Sequence, residues 1–319
     1  MRAFIFPGQG SQAIGMGTAL AAASAHAREV FEEVDDALGQ ALQRLMAEGP
    51  ADDLTLTENA QPAIMANAIA TLRVLEREGN VRLADKADYV AGHSLGEYSA
   101  LCAAEALDLS TTARLLKTRG RAMQAAVPVG EGAMAALLGA DVDKAATIAG
   151  AAVDSILAEG GGTLVCTVAN DNDPTQVVIS GHRAAVERAV ALAKEMGAKR
   201  GLLLPVSAPF HCALMEDAAV AMEAALLDAD LRAPLVPVYA NVDAAPVADP
   251  GAIRHLLVQQ VTGRVRWRES VLAMAAAGVT EFVEFGGKVL APMVKRIAPD
   301  VEATSVVTMD DVEALAKRL

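Results

Sequence analysis

The sequence predicts an α/β fold with a parallel sheet, interrupted by a small α+β unit. Three observations carry this expectation. Short apolar runs alternate with helical periodicity towards both ends of the 319-residue chain. The segment between them follows the order β-α-β-β-α-β, and a Gly-rich turn holding a serine joins a strand pattern to a helix pattern.

Arg2–Phe6 is an apolar run closed by Pro7-Gly8, a buried strand entering a loop. Apolar residues recur at helical spacing from about Ala27 to Leu38. They do so again over Gln61–Glu78, where Ile64, Ala68, Ile69, Leu72 and Leu75 share a face. Tyr89–Gly92 reads as a strand, followed by the Gly-rich turn and a helix to about Leu107. A further helix spans Ser110–Ala126, before Pro128 and Gly130 break the chain. Ala133–Gly139, Leu164–Ala169, Gln176–Gly181 and Gly201–Val206 read as strands, with helices over Val142–Leu157 and Arg183–Met196. That order is the split arrangement of a ferredoxin-like unit. Beyond Pro209 come a strand at Pro237–Ala240, helices near Ile253–Gln260 and Glu269–Ala277, a strand at Glu281–Phe285 and one last helix. The main domain is therefore expected to be discontinuous, over residues 1–127 and 207–319, with the small unit at 128–206.

Composition narrows the function classes. Hydrophobic residues make up 53% of the chain but aromatics only 3%, so the core is built mainly from Ala, Val, Leu, Ile and Met. Twenty-seven basic against forty acidic residues leave a net charge of −13, a poor footprint for nucleic-acid binding. Cys102, Cys166 and Cys212 are far apart and show no metal spacing, which suits a reducing compartment. The opening MRAFIFPGQG is too short and too soon broken for a signal peptide. No stretch reaches the ~18 apolar residues that span a bilayer. A soluble, cytoplasmic protein is expected, with no membrane partner.

Gly92-His93-Ser94-Leu95-Gly96 fits G-x-S-x-G between strand and helix, the setting of a nucleophile elbow. Alone, the same residues are a glycine-rich turn with an incidental serine. A serine hydroxyl needs a neighbouring base, and the chain has five histidines. His26 and His182 begin helices, His255 lies on an apolar helix and reads as packed, and His93 points away from its neighbour on a tight turn. His211, in Ser207-Ala208-Pro209-Phe210-His211 after a buried strand, is the favoured base. No acidic residue between Ser94 and His211 is well placed as a third member, so a Ser-His dyad oriented by a backbone carbonyl is at least as economical. Pro7-Gly8-Gln9-Gly10-Ser11-Gln12 lacks nucleotide-loop spacing. It reads either as a simple turn or as a loop carrying a second oxyanion donor to the serine. Arg114, Lys117, Arg119 and Arg121 form either a solvated face or a run with one arginine turned inward to clamp a carboxylate.

Taken together, FPGQGSQ at 6–12, GHSLGEYSAL at 92–101, the Arg119 helix, SAPFH at 207–211 and the Gln260 to Trp267 stretch resemble the malonyl-CoA:acyl carrier protein transacylases of fatty acid synthesis, over nearly the whole chain. The resemblance implies a hydrolase-like α/β core with an inserted ferredoxin-like subdomain. It implies Ser94 as acylated nucleophile, His211 as base, and the Gln260 carbonyl as its orienting partner. Gln9 and Leu95 would supply the oxyanion amides, and Arg119 would pair with the malonyl carboxylate. Phe210 is similar to members that exclude methylmalonyl, and Asn170 matches an asparagine near the groove. Malonyl-CoA and an acyl carrier protein would be the partners of a monomer. No cofactor is implied, since phosphopantetheine travels on the carrier. Arg264 replaces a common proline, and Gly286-Gly287-Lys288 is one residue shorter than usual. Carrier docking is expected at Lys117 to Arg121, Lys199-Arg200 or Arg264 to Arg268. The competing readings are a discrete acyltransferase of a polyketide or malonate decarboxylase system, a serine thioesterase or other hydrolase, and an acidic scaffold with an inactive site.

Overall fold

The structure, a computed structural model, describes residues 1–319. Its strands, in chain order, are β1 (Arg2–Phe6), β2 (Tyr89–Gly92), β3 (Gly132–Leu138), β4 (Cys166–Asp173), β5 (Gln176–His182), β6 (Arg200–Leu203), β7 (Val238–Ala240), β8 (Ala245–Val247), β9 (Glu281–Phe285) and β10 (Glu302–Val306). They form two sheets. The larger has the order β10-β9-β1-β2-β7-β8 and is parallel except for the β7–β8 hairpin. β1 lies near its middle, and Ala3, Phe4, Ile5 and Phe6 are fully buried, as a strand covered on both faces requires. Phe6 pairs with Gly92, so β1 and β2 end level and their two following turns lie side by side. Ligand sites of open parallel sheets form at such strand ends.

The smaller sheet is antiparallel, in the order β4-β5-β3-β6, with helices Val142–Ala158 and Arg183–Leu192 in its connections. It keeps its own buried cluster, among it Ala135, Leu137, Ile148, Val177 and Ile179. β4 fastens it to the larger part. Asp171 N–H donates to the Val265 carbonyl and Val265 N–H to the Ala169 carbonyl, each at 2.9 Å. Arg268 and Arg296 reach the buried carboxylates of Asp171 and Asp173 at 2.9 and 2.8 Å.

Several elements differ from the sequence expectation. β4 begins at Cys166 and runs to Asp173, carried past Ala169 through two register shifts against β5. The helix after the serine turn ends at Ala103. The expected single last helix is instead Leu290–Ile297, then β10, then Met309–Arg318. β10 (EATSV) is a weakly apolar edge strand with little buried pattern to read. Helix Glu216–Leu227, rich in alanine, has no counterpart in the sequence reading.

The β2 turn closes only because two positions lack side chains. A Cβ at Gly92 would lie 1.9 Å from the Gly96 carbonyl carbon, and one at Gly96 would lie 2.2 Å from the Phe6 carbonyl oxygen. Backbone atoms cannot yield as a flexible side chain does. Gly96→Ala should cost about 3 kcal/mol or more in urea denaturation. Gly150→Ala, on an exposed helix position with nothing within 4 Å of its new methyl, should gain about 1 kcal/mol. Equal effects at the two sites would contradict this packing.

Candidate active site

Ser94 sits at φ +54° in the turn between β2 and helix Gly96–Ala103. A serine rarely adopts this left-handed conformation, and tertiary bonds hold it there. Its N–H donates to Asn241 Oδ1 at 2.7 Å, and Asn241 Nδ2 donates to the Gly92 carbonyl at 2.7 Å. Asn241, just past β7, thus staples both ends of the turn. The Ser94 amide is occupied, whereas the amides of Leu95 and Gln9 have no acceptor within the chain. Leu95 is the N-cap of the helix, where free N–H groups favour negative charge. Gln9 follows Gly8, where a Cβ would lie 2.6 Å from the His93 carbonyl oxygen, so the missing side chain lets the two turns pack together.

His211 comes from the loop after β6, also at positive φ, +59°. Its Nε2 lies 2.8 Å from Ser94 Oγ, and its Nδ1 lies 2.8 Å from the Gln260 carbonyl and 3.1 Å from that of Gly263. Carbonyls only accept, so the proton is assigned to Nδ1 and the lone pair of Nε2 faces the serine hydroxyl. No carboxylate touches the ring. Burial first, and then the nearby Arg119, push the imidazole pKa down to about 3.

Arg119 is 1% exposed, on helix Leu109–Ala125. Its Nη1 donates to Gln61 Oε1 at 2.9 Å; its Nη2 donates to Gln260 Oε1 at 2.9 Å and to Ser94 Oγ at 3.1 Å. Its Nε is buried without an acceptor, and its guanidinium lies 5.7 Å from the centre of the Tyr98 ring. All of its hydrogen-bond partners are neutral. Close helix packing sets this reach, since a Cβ on neighbouring Gly120 would lie 2.5 Å from Glu58 Cα.

Ser94, His211 and Arg119 open into a cleft of about 610 Å³ between the two sheets, also lined by Gln9, Phe210 and Asn170. Its size suits a small-molecule site. A second, more open groove of about 630 Å³, lined by Arg264, Arg266 and Asp243, contains none of these groups. No group of three His, Cys, Asp or Glu side chains is arranged to hold a metal ion.

The structure brings together Ser94, His211, Gln260, Gln9, Leu95, Arg119 and Phe210. It adds Asn241, Gln61 and Glu97, which sequence reading passed over. Each is a polar residue on a regular element or at its end, and none carries a local signal. His255 is a correction: it is exposed and bonded to Gln259, because the apolar face of its helix is formed by Ile253, Leu256 and Leu257. His93 is half-buried instead, with Nε2 2.8 Å from Asn172 Oδ1. Two of the three basic clusters carry ion pairs within the chain. Lys117 and Arg121 both pair with Glu58, at 2.9 and 2.8 Å, and Arg119 is buried. Arg264 and Arg266 share Glu269, and Arg268 takes Asp171. Only Lys199 and Arg200 remain exposed without an ion pair.

A depressed imidazole pKa keeps His211 neutral, and so able to accept a proton, while an ordinary histidine with pKa 6.5 would charge. Labelling of Ser94 by an uncharged fluorophosphonate should hold its rate as pH falls through 6.5. A loss with its midpoint there would contradict the burial argument.

Comparison with known proteins extends the likeness along the chain. Residues 3–291 match the acyl transferase domain family. The malonyl CoA-acyl carrier protein transacylase of Escherichia coli (strain K12) is 46% identical over 305 residues, 95% of each chain. That of Bacillus subtilis (strain 168) is 42% identical over 318 residues, 99% of this chain and 96% of the relative. The crystal structure of acyl-carrier-protein-S-malonyltransferase from Bartonella henselae superposes with a TM-score of 0.93 at 54% identity, covering 99% of this chain and 98% of that one. A malonyl-transacylase solved in complex with its type II PKS acyl-carrier protein gives 0.93 at 38% identity, covering 100% and 99%. With identity of this order sustained from end to end, the chain belongs to the acyl transferase domain family, among the malonyl CoA-acyl carrier protein transacylases.

Proposed function

We propose that the protein transfers malonyl from malonyl-CoA to the phosphopantetheine thiol of an acyl carrier protein, through a malonyl ester on Ser94. One observation carries the reading: a buried guanidinium whose direct partners are all neutral lies 3.1 Å from the hydroxyl that a histidine is placed to deprotonate. Such a cation calls for an anionic acyl group beside the nucleophile.

In the proposed reaction the Ser94 proton moves to His211 Nε2 as Oγ attacks the thioester carbon. The oxyanion is received by the Gln9 and Leu95 amides, donors of a kind worth ~2.7–4 kcal/mol each. The carbon–sulfur bond breaks, and coenzyme A leaves as a thiol carrying the proton from His211. The carrier thiol then loses its proton to His211, its sulfur attacks the ester, and Ser94 departs and is reprotonated. The Gln260 carbonyl holds the imidazole, and Phe210 narrows the cleft against bulkier acyl groups. No cofactor enters these steps. Absence of a carboxylate on His211 favours transfer over a hydrolase triad.

We further assign residues 128–206 as a ferredoxin-like insert in a hydrolase-like catalytic domain of 1–127 and 207–319. The strand order and separate core of the small sheet support this. All site residues come from one chain, in keeping with a monomer. The three free cysteines and the lack of any helix long and apolar enough to cross a membrane fit a cytoplasmic setting. An acidic carrier would dock at Lys199-Arg200, the cluster without internal partners. The relative solved with its acyl-carrier protein supports such an acceptor.

Intact-mass measurement after incubation with malonyl-CoA should show a malonyl adduct on the wild type and none on Ser94→Ala; a surviving adduct would overturn the nucleophile. Arg119→Ala should slow malonyl acylation about 100-fold or more while changing acetyl acylation little. Equal losses would remove the clamp. Reversing charge at Lys199 and Arg200 should raise KM for the carrier and leave acylation by malonyl-CoA intact. An unchanged KM would discard that surface.

A further inference from the structure

Behind Ser94 lies a buried carboxyl that the proposed reaction does not use. Glu97, one residue past Gly96 in the first turn of the elbow helix, is 1% exposed. Its Oε2 accepts two hydrogen bonds, from the Asn241 amide at 2.9 Å and from Gln260 Nε2 at 2.8 Å. The same Gln260 amide turns its Oε1 to Arg119 Nη2 at 2.9 Å. We propose that Glu97 is a positioning residue for acyl-group selection: through the Gln260 amide it orients Arg119 towards Ser94 without neutralising it.

The argument is one of donors and acceptors. Arg119 only donates, and a carboxylate only accepts. An amide between them satisfies both in one orientation, nitrogen to Glu97 and oxygen to Arg119. Flipped, it would set oxygen against oxygen and N–H against N–H. Gln260 Nε2 has two further acceptors, the Ser94 carbonyl at 3.1 Å and Asn241 Oδ1 at 3.3 Å. Glu97 offers the shortest of the three bonds. Direct contact between Glu97 and Arg119 would form a closed ion pair, leaving the guanidinium little call for a substrate carboxylate. Spacing by one amide keeps the cation fixed yet open. Burial raises the Glu97 pKa to about 7. A proton placed on Oε1 leaves Oε2 still accepting, so the acceptor rather than the full charge is what Gln260 requires. The same oxygen accepts from the Asn241 main chain, whereas the staple of the serine turn is made by the Asn241 side chain, which does not bond Glu97.

This inference rests on the proposed malonyl reading, and its test separates the two. The measurement is the ratio of Ser94 acylation rates by malonyl-CoA and acetyl-CoA, followed by intact mass, with melting curves to confirm folding. Glu97→Asp, which withdraws the carboxylate from reach, and Glu97→Leu should each lower the ratio about tenfold or more, with acetyl acylation little changed. Glu97→Gln keeps an acceptor in place and should hold the ratio within about threefold of wild type, less than the loss of a bond to a charged group. Should Glu97→Leu not fold, the Asp and Gln variants decide. Malonyl and acetyl rates falling together in Glu97→Asp would mark a merely structural residue and overturn the proposal, as would a Gln variant losing the ratio as Asp does. A wild-type chain that malonyl-CoA does not acylate would instead overturn the functional reading itself.

Discussion

A desolvated guanidinium with no directly bonded carboxylate is the constraint around which this molecule is arranged. Isolating a charge from water is costly unless it is paired and hydrogen-bonded. Here Arg119 donates hydrogen bonds to neutral groups only, and its Nε finds no acceptor. The rest of the site follows from tolerating that state. Gln61 and Gln260 supply oxygens without charge, the Tyr98 ring lies near the guanidinium, and the one nearby buried carboxyl stands an amide away. The same positive charge helps keep His211 neutral, so the group proposed to recognise the acyl chain also favours the form of the proposed base that can take a proton.

Backbone geometry supplies the second half of the site. Level ends of β1 and β2 bring two turns together, and the Gln9 and Leu95 amides in them have no acceptor within the chain. Ser94 and His211 both occupy left-handed conformations, and each is over-determined by contacts from distant segments: Asn241 for the serine, the Gln260 and Gly263 carbonyls for the histidine. Strain held in this way at the two residues proposed to react matches the general tendency of functional sites. The β4 attachments, with Asp171 and Asp173 paired to arginines of the larger part, hold Asn170 and Asn172 against the cleft wall.

What sequence could show depended on how local each signal was. The turn around Ser94 was legible because glycines at both ends are demanded by backbone collisions within a few residues and with β1. His211 stood out because few histidines exist and the other four read as helix starts, as packed, or as turned away from the serine. Asn241, Gln61 and Glu97 were not legible, since their meaning lies in partners far along the chain; Asn241 meets Ser94 across 147 positions. The partners of the basic runs were hidden for the same reason. Lys117 and Arg121 look free in sequence, while Glu58, which takes both, comes from another helix. β10 escaped notice because an edge strand needs little apolar pattern, whereas β1, buried on both faces, declared itself.

The claim that Arg119 is held for an anion is tested most directly by comparing Ser94 acylation rates with malonyl-CoA and with its methyl ester, which keeps nearly the same shape and removes the charge. The free acid should react about 100-fold faster or more, the scale of leaving a buried charge unpaired. Comparable rates would show that the cation does not select the acyl group and would leave its burial without a functional reason.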